Sequence, residues 1–360
     1  MKLRLLILLF LLLNNFSLIG QNFPKNIIFL IGDGMGVNYI AASFFDDENN
    51  PYRNFKSIGL VNIASLDRLI TDSGAAATVL ATGHRTVNRY ISVDSAGNKL
   101  KTLFQFAKEK GKSVGLVSTS SVTHATPAAF YAHTDDRGRE TDIAFQLAQS
   151  DVDVIIGGGT QFFLPDIIGG SRKDDINVIQ KMENKSYKGL NIFDYKAVVD
   201  ADKVLCLMEK NGLKSASERI NTLGDFTKAA IYNLNSNENG FVLMVEGSQI
   251  DWAGHENNQD YLLSEMRDFN TAITEAFNFA QEDGNTLIVI TADHETGGMA
   301  ITGGDLDGEN LKLGFLNKSH TAGFVPVLSF GPFEEKFRGI LENYEIGQNL
   351  ILLINPTHQF

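Results

Sequence analysis

The sequence predicts an α/β protein with a mostly parallel central sheet and helices on both faces, and three observations carry that prediction. Apolar runs of strand length, NIIFLIG and GFVLMVEG among them, alternate along the chain with stretches of helical spacing. Those runs are apolar throughout rather than at every second residue, as strands buried on both faces require. No Pro/Ser/Gly-rich linker, internal repeat or low-complexity tract divides the 360 residues, and the chemically suggestive positions run from Asp33 to His320. Length alone would permit two domains, but one site drawing on nearly the whole chain predicts a single domain over residues 21–360.

In chain order, NIIFLIGDGMG (26–36) reads as a buried parallel strand closed by glycines, with Asp33 at its carboxyl end. SIGLVNIAS (57–65) is a second strand candidate. TDSGAAATVLATG follows as a short helix of small side chains, stopped by Gly83. TLFQFAKEKG (102–111) has helical spacing and a glycine stop, SVGLVSTSS (113–121) reads as a strand, and ETDIAFQLAQS with DVDVIIGGG repeats the alternation. A more polar stretch occupies about 166–240. GFVLMVEGSQ (240–249) is then a strand that delivers Glu246, an amphipathic helix covers roughly 257–282, and NTLIVITAD ends on Asp293 beside His294. FVPVLSFGP and two helical patterns complete the chain.

The first twenty residues carry Lys2 and Arg4, the apolar run LLILLFLLL and a polar close near Gly20, which predicts a cleaved signal peptide and a periplasmic or secreted protein. No later run approaches twenty apolar residues, so no membrane anchor is expected. The single Cys206 excludes an intramolecular disulfide and lies too far from residue 20 to carry a lipid. The formal charge is −12, or −14 once Lys2 and Arg4 are removed, which disfavours nucleic acid as the main partner. An acidic enzyme acting on anions needs a locally positive site, and metal ions would provide one.

Ser73 is the candidate nucleophile. It stands at the start of a helix, where unpaired N–H groups and the helix dipole favour an anion and a developing alkoxide. Taken alone, the segment also fits a plain N-cap at Asp72 or Ser73. Asp33, Glu246, Asp293 and His294 all fall at carboxyl ends of strands, where ligands of open α/β sheets sit. VEGSQIDWAGH adds Asp251 and His255, and KSHTAG adds His320. Carboxylates with imidazoles and no cysteine suit zinc. His255, His294 and His320 each read as presented on a loop after an apolar run, whereas His84, His133 and His358 read as structural or solvated.

From Asn26 to about Pro332 the chain resembles the alkaline phosphatases, through IGDGMG, TDSGAAAT followed by ATG, HATPAAFYAHTDDR, VEGSQIDWAGH, TADH and SHTAG in the family's order. The resemblance implies hydrolysis of phosphate monoesters through a phosphoserine on Ser73, with two zinc ions and one magnesium. It implies that Asp251, His255 and His320 hold the first zinc, which activates water and stabilises the leaving group. Asp33, Asp293 and His294 would hold the second, and Asp33 with Thr126 and Glu246 the magnesium. Arg137 matches the arginine that clamps phosphate. His124 and Trp252 stand where other members carry Asp and Lys, a substitution shared by a bacterial subgroup; this makes His124 a possible shell residue of the third site and Trp252 a substrate contact. The segment between Gly298 and Asn317 is short where many relatives carry an insertion that embraces the partner subunit, and a homodimer is the expectation. The alternatives are a phosphodiesterase of the same superfamily and a non-catalytic periplasmic phosphate-binding protein.

Overall fold

The structure is a computed structural model that describes residues 23–189, 197–198 and 200–360; the expected signal peptide, residues 1–20, lies outside them. Its centre is a ten-stranded sheet. In chain order the strands are β1 (Asn26–Gly32), β2 (Ser57–Asn62), β3 (Ser113–Ser121), β4 (Val154–Gly158), β5 (Tyr187–Gly189), β6 (Lys203–Leu207), β7 (Phe241–Gly247), β8 (Thr286–Thr291), β13 (Val325–Phe330) and β14 (Gly339–Glu342), with the short strands β9 to β12 lying outside it. Across the sheet they lie in the order β14-β2-β13-β8-β1-β7-β3-β4-β6-β5. Only β13 runs against its neighbours, β2 and β8. Every other pairing is parallel.

β1, β7 and β8 are buried along their whole length, which is why their sequences carry no polar alternation. Two helix layers cover the sheet. The Ser73–Thr82 helix packs with those at Leu103–Glu109 and Asn343–Ile354, while the long Gln259–Asp283 helix packs against Leu223–Leu234 and Val37–Asp46. Among the described residues no helix is long and apolar enough to cross a membrane.

Register is what positions the site. Ile31 of β1 stands level with Glu246 of β7 on one side and Thr291 of β8 on the other, and Glu246 is level with Ser118 of β3. The carboxyl ends of β8, β1 and β7 are therefore flush, and β3 beside them runs on to Ser121. The residues just beyond them, Asp33, Ser248 and Asp293, emerge at one edge.

The structure differs from the expectation in three places. The polar stretch after 166 contains β5 and β6, two short strands on the outer edge. The chain's end holds one helix, Asn343–Ile354, because the first of the two helical patterns becomes a single 3₁₀ turn at Glu334–Phe337 followed by edge strand β14. The helix expected over 257–282 is Gln259–Asp283, capped by the Asn258 side chain, and it is preceded by an unexpected helix, Gln249–Glu256, that ends where Asn257 turns left-handed at φ 56°. Asp251 and His255 thus sit one turn apart on a helix, and His255 is not a loop residue.

Candidate active site

Ser73 opens a helix whose ten residues are all buried. Runs of Ala and Gly allow that helix to lie deep, and the cap is Asp72, whose Oδ1 accepts from the Ala75 N–H at 3.0 Å. Gly83 ends it in the left-handed conformation, φ 72°, that favours glycine. Oγ of Ser73 comes to 3.2 Å from Nε2 of His294.

The strand ends supply three carboxylates and the helix after β7 a fourth. Asp33, Glu246, Asp251 and Asp293 are each no more than 5 % exposed. Asp293 is oriented by the N–H groups of Gly34 (3.1 Å) and His294 (2.9 Å), both on Oδ1, so its Oδ2 turns inward. Gly34 can only be glycine: its φ is +71°, and a Cβ would stand 2.7 Å from Thr296 Oγ1 and 2.9 Å from Asp251 Cα. Glu246 receives Ser118 Oγ at 2.6 Å on Oε2.

Three groups of metal-ligand type form here. In the first, His255 Nε2 lies 3.3 Å and His320 Nε2 3.7 Å from Asp251 Oδ1, and the two imidazole nitrogens are 3.2 Å apart. Their other nitrogens face carbonyl oxygens, Nδ1 of His255 that of Lys318 at 2.8 Å and Nδ1 of His320 that of Thr71 at 3.0 Å. A carbonyl only accepts, so each Nδ1 carries a proton and each Nε2 is the nitrogen turned to the cluster. The second group is Asp33, Asp293 and His294, with His294 Nε2 3.4 Å from Asp33 Oδ1 and 3.2 Å from Asp293 Oδ2. The third joins Asp33, Glu246 and His124.

Thr296, which carried no role in the sequence reading, links the first two groups. Its hydroxyl donates to Asp251 Oδ1 and faces His294 Nδ1 at 3.3 Å. The single hydroxyl proton is spent on the carboxylate, so Nδ1 donates to the oxygen and Nε2 is left bare towards Ser73. Only its place two residues after His294 in TADHETGG could have flagged it.

Both oxygens of Asp33, Oε1 of Glu246, Oδ2 of Asp293, Oγ1 of Thr126 and Nδ1 of His124 are buried without a hydrogen bond. Such groups are rarely left unmatched, and unpaired carboxylates least of all. Burial raises Asp33 well above the usual carboxylate range, with the charges of Asp293, Asp251 and Glu246 adding to the shift. Burial likewise pushes Asp293 up to about 6 and Glu246 to about 7. Burial would raise Asp251 too, but the hydrogen bond from His255 and the neighbouring imidazoles hold it below its ordinary value. That same bond raises His255 to about 9. Divalent cations fit this donor set: oxygen and imidazole ligands for zinc in the first two groups, and a mostly oxygen set at Asp33, Glu246 and Thr126 for magnesium.

Arg137 stands beside these groups. Its Nη1 donates to Asp72 Oδ2 at 3.0 Å and its Nη2 to His124 Nε2 at 3.1 Å. Burial would raise Asp72, but the Arg137 charge and the N–H groups of Arg89 and Ala75 keep it low and ionised. A guanidinium only donates, so Nε2 of His124 is the accepting nitrogen and Nδ1 carries the proton. A neutral imidazole has one bare nitrogen, hence His124 cannot serve Arg137 and coordinate a cation at once. Burial, then the Arg137 charge, lowers its pKa to about 3, so it is neutral. Trp252 reaches the site through His124, ring edge to ring face at 6.4 Å, with its six-membered ring against Gly212. Of the remaining histidines, His84 and His358 pack on Phe360, and His133 bonds the Leu100 carbonyl.

The flush strand ends, the serine at a helix start and the buried carboxylate–imidazole groups define a hydrolase framework of the metal-dependent kind. The family model for alkaline phosphatase matches residues 24–311, and the chain belongs to the alkaline phosphatase family. Alkaline phosphatase 4 of Bacillus subtilis is 34% identical over 92% of this chain and 89% of its own length. Alkaline phosphatase 3 of the same organism is 40% identical over 78% of this chain, which spans 63% of that relative. Among solved structures, the alkaline phosphatase of the Antarctic bacterium TAB5 superposes with a TM-score of 0.87 at 37% identity, covering 94% of this chain and all of the other. A histidine-to-glutamate variant of that enzyme, solved with magnesium bound in its M3 site, matches at 0.87 and 36% identity.

Proposed function

We propose that the protein hydrolyses phosphate monoesters by way of a phosphoserine on Ser73, with two zinc ions and one magnesium. The observation that carries this reading is the placement of Ser73 Oγ 3.2 Å from the bare nitrogen of His294, at a helix start and among buried carboxylates that have no partner. Asp251, His255 and His320 would hold the first zinc, Asp33, Asp293 and His294 the second, and Asp33, Thr126 and Glu246 the magnesium. When bound, these cations neutralise the substrate dianion, acidify the serine hydroxyl and the attacking water, and stabilise the entering and leaving oxygens.

Ser73 Oγ gives its proton to solvent and attacks phosphorus, and the bond to the alcohol oxygen breaks on the opposite side, the departing oxygen taking a proton from water. The start of the Ser73–Thr82 helix stabilises the charge on Oγ. Water then attacks the phosphoserine from the face the alcohol vacated. The Ser73–phosphorus bond breaks and inorganic phosphate leaves, with two inversions and net retention. Arg137 spends two of its five N–H groups on Asp72 and His124, and others remain for non-bridging oxygens. The Trp252 indole borders the phosphate position through its contact with His124. The protein is exported to the periplasm or secreted and works as a homodimer.

The test combines elemental analysis with acid-quenched turnover of an aryl phosphate. A burst of one alcohol per Ser73, two zinc ions and one magnesium per chain, and loss of activity on chelation with recovery on zinc addition are expected. Full activity after verified removal of metal would overturn the reading.

A further inference from the structure

An open groove of about 660 Å³ runs from the first group of ligands to the surface, lined by Leu69, Ile70, Asn88, Ser319, His255 and His320, with Arg68 at its rim. Ser73 and His294 do not line it. The His320 ring stacks on that of His294 at 3.5 Å, and His294 touches Ser73, so the order from the interior outward is Ser73, His294, His320, groove. In-line displacement expels the leaving oxygen away from the nucleophile. The groove is thus on the departing side of phosphorus.

Its wall is unusual. Leu69 is 72% exposed and Ile70 45%. They sit on a backbone pinned at several points: Ser65 N–H to the Arg68 carbonyl at 3.0 Å, Asn88 N–H to Asp67 Oδ1 at 3.0 Å, Asn88 Nδ2 to the Ile70 carbonyl at 3.2 Å, and His320 Nδ1 to the Thr71 carbonyl at 3.0 Å. The side chains are held outward by a fixed loop, so a ligand meeting them has little ordering cost to offset. Arg68 lies 3.5 Å from Asp67 at the rim, and the apolar contact the groove offers comes from Leu69 and Ile70.

We infer that this groove receives the alcohol half of the ester and that Leu69 and Ile70 make it select alcohols with an apolar face, aryl or long-chain alkyl, over polyols. The inference rests on the monoesterase reading. The test compares wild type with Leu69→Ser/Ile70→Ser on naphthyl phosphate and glycerol phosphate, alongside binding of naphthylphosphonate and methylphosphonate, which need no turnover. For the naphthyl ester kcat/KM should fall about five- to thirtyfold, mainly through KM, the scale of partly burying two aliphatic side chains. For glycerol phosphate the loss should stay under about threefold, naphthylphosphonate should weaken in step with its ester, and methylphosphonate should hold. Equal losses on both esters, no loss on either, or a change in oligomeric state with unchanged substrate preference would overturn it. If wild type hydrolyses neither ester, the monoesterase reading fails, and the two phosphonates still report on the groove.

Discussion

Oγ of Ser73 faces a nitrogen of His294 whose proton is committed on the far side of the ring, to Thr296. Because that nitrogen offers only a lone pair, the pair is arranged to share a cation or give up a proton, and neither is possible with alanine at 73. Ser73→Ala, a small buried change, should fold normally and lose the phosphoenzyme, with kcat down at least ~100-fold, the scale of a principal catalytic group. Acid-quenched mass spectrometry and steady-state rates check this; near-normal turnover removes Ser73 from the chemistry.

Arg137 separates a monoester from a diester. It is held by Asp72 and His124 in a half-buried position, so truncation removes a preorganised grip on two oxygens, and a diester has surrendered one of them. With charge-assisted bonds contributing about 1.5 to 3 kcal/mol each, Arg137→Ala should lower kcat/KM for an aryl phosphate by roughly tenfold to a few hundredfold. The loss on the corresponding methyl diester should be much smaller. Equal losses would return the diesterase alternative.

Thr296 orients a carboxylate of one ligand group and an imidazole of another through a single hydroxyl. Thr296→Val keeps the shape and deletes the proton, so zinc affinity should fall by about 10- to 100-fold, as for other supports of metal ligands. Competition titration of the apoprotein with a zinc chelator reads this without any reference to turnover. Unchanged affinity would make Thr296 a packing residue only.

A buried triad outside the ligand groups carries its own pH dependence. Glu265, 2% exposed, lies with Asp268 around Arg219; burial raises Glu265 to about 7, with Asp268 adding to the shift while Arg219 and the Ala216 N–H oppose it. A carboxyl group whose folded pKa is raised contributes stability that is complete below its unfolded value near 4.5 and is lost as pH rises through about 7. Relative to Glu265→Gln, which retains the acceptor for Ala216, wild type should therefore lose about 2 kcal/mol between pH 4.5 and 8. Paired thermal melts of the two proteins across that range give the difference; a gap that stays constant or widens in favour of wild type contradicts the assignment.

The central strands and their terminal carboxylates were legible because a two-sided buried strand must be apolar throughout and a functional residue must follow it. β5, β6 and β14 were not: YKG, KVLCL and GILE are short edge segments whose pairing is set by the sheet they join, not by local pattern. The short Gln249–Glu256 helix was invisible for a related reason. Eight residues closed by a left-handed asparagine carry too little periodicity to be told from a loop, and that helix puts His255 one turn from Asp251. Thr296, Ser118 and the bond from Arg137 to Asp72 are contacts across the fold, and a hydroxyl in a strand has no spacing that announces it. Where residues alone suggested a cap at Asp72 or a nucleophile at Ser73, both descriptions fit, because the two neighbours divide the roles.

β1 lies between β7 and β8, neither of which exists until residues 241–291 have been synthesised. A strand buried along its whole length is thus made first and paired late. Pairing β1 with its neighbours joins segments separated by more than half the chain, a topology that closes slowly. The long interval leaves NIIFLIG exposed to association with other chains or to holdases that shield it. A protein ordered this way cannot close its central sheet until most of the chain has been made.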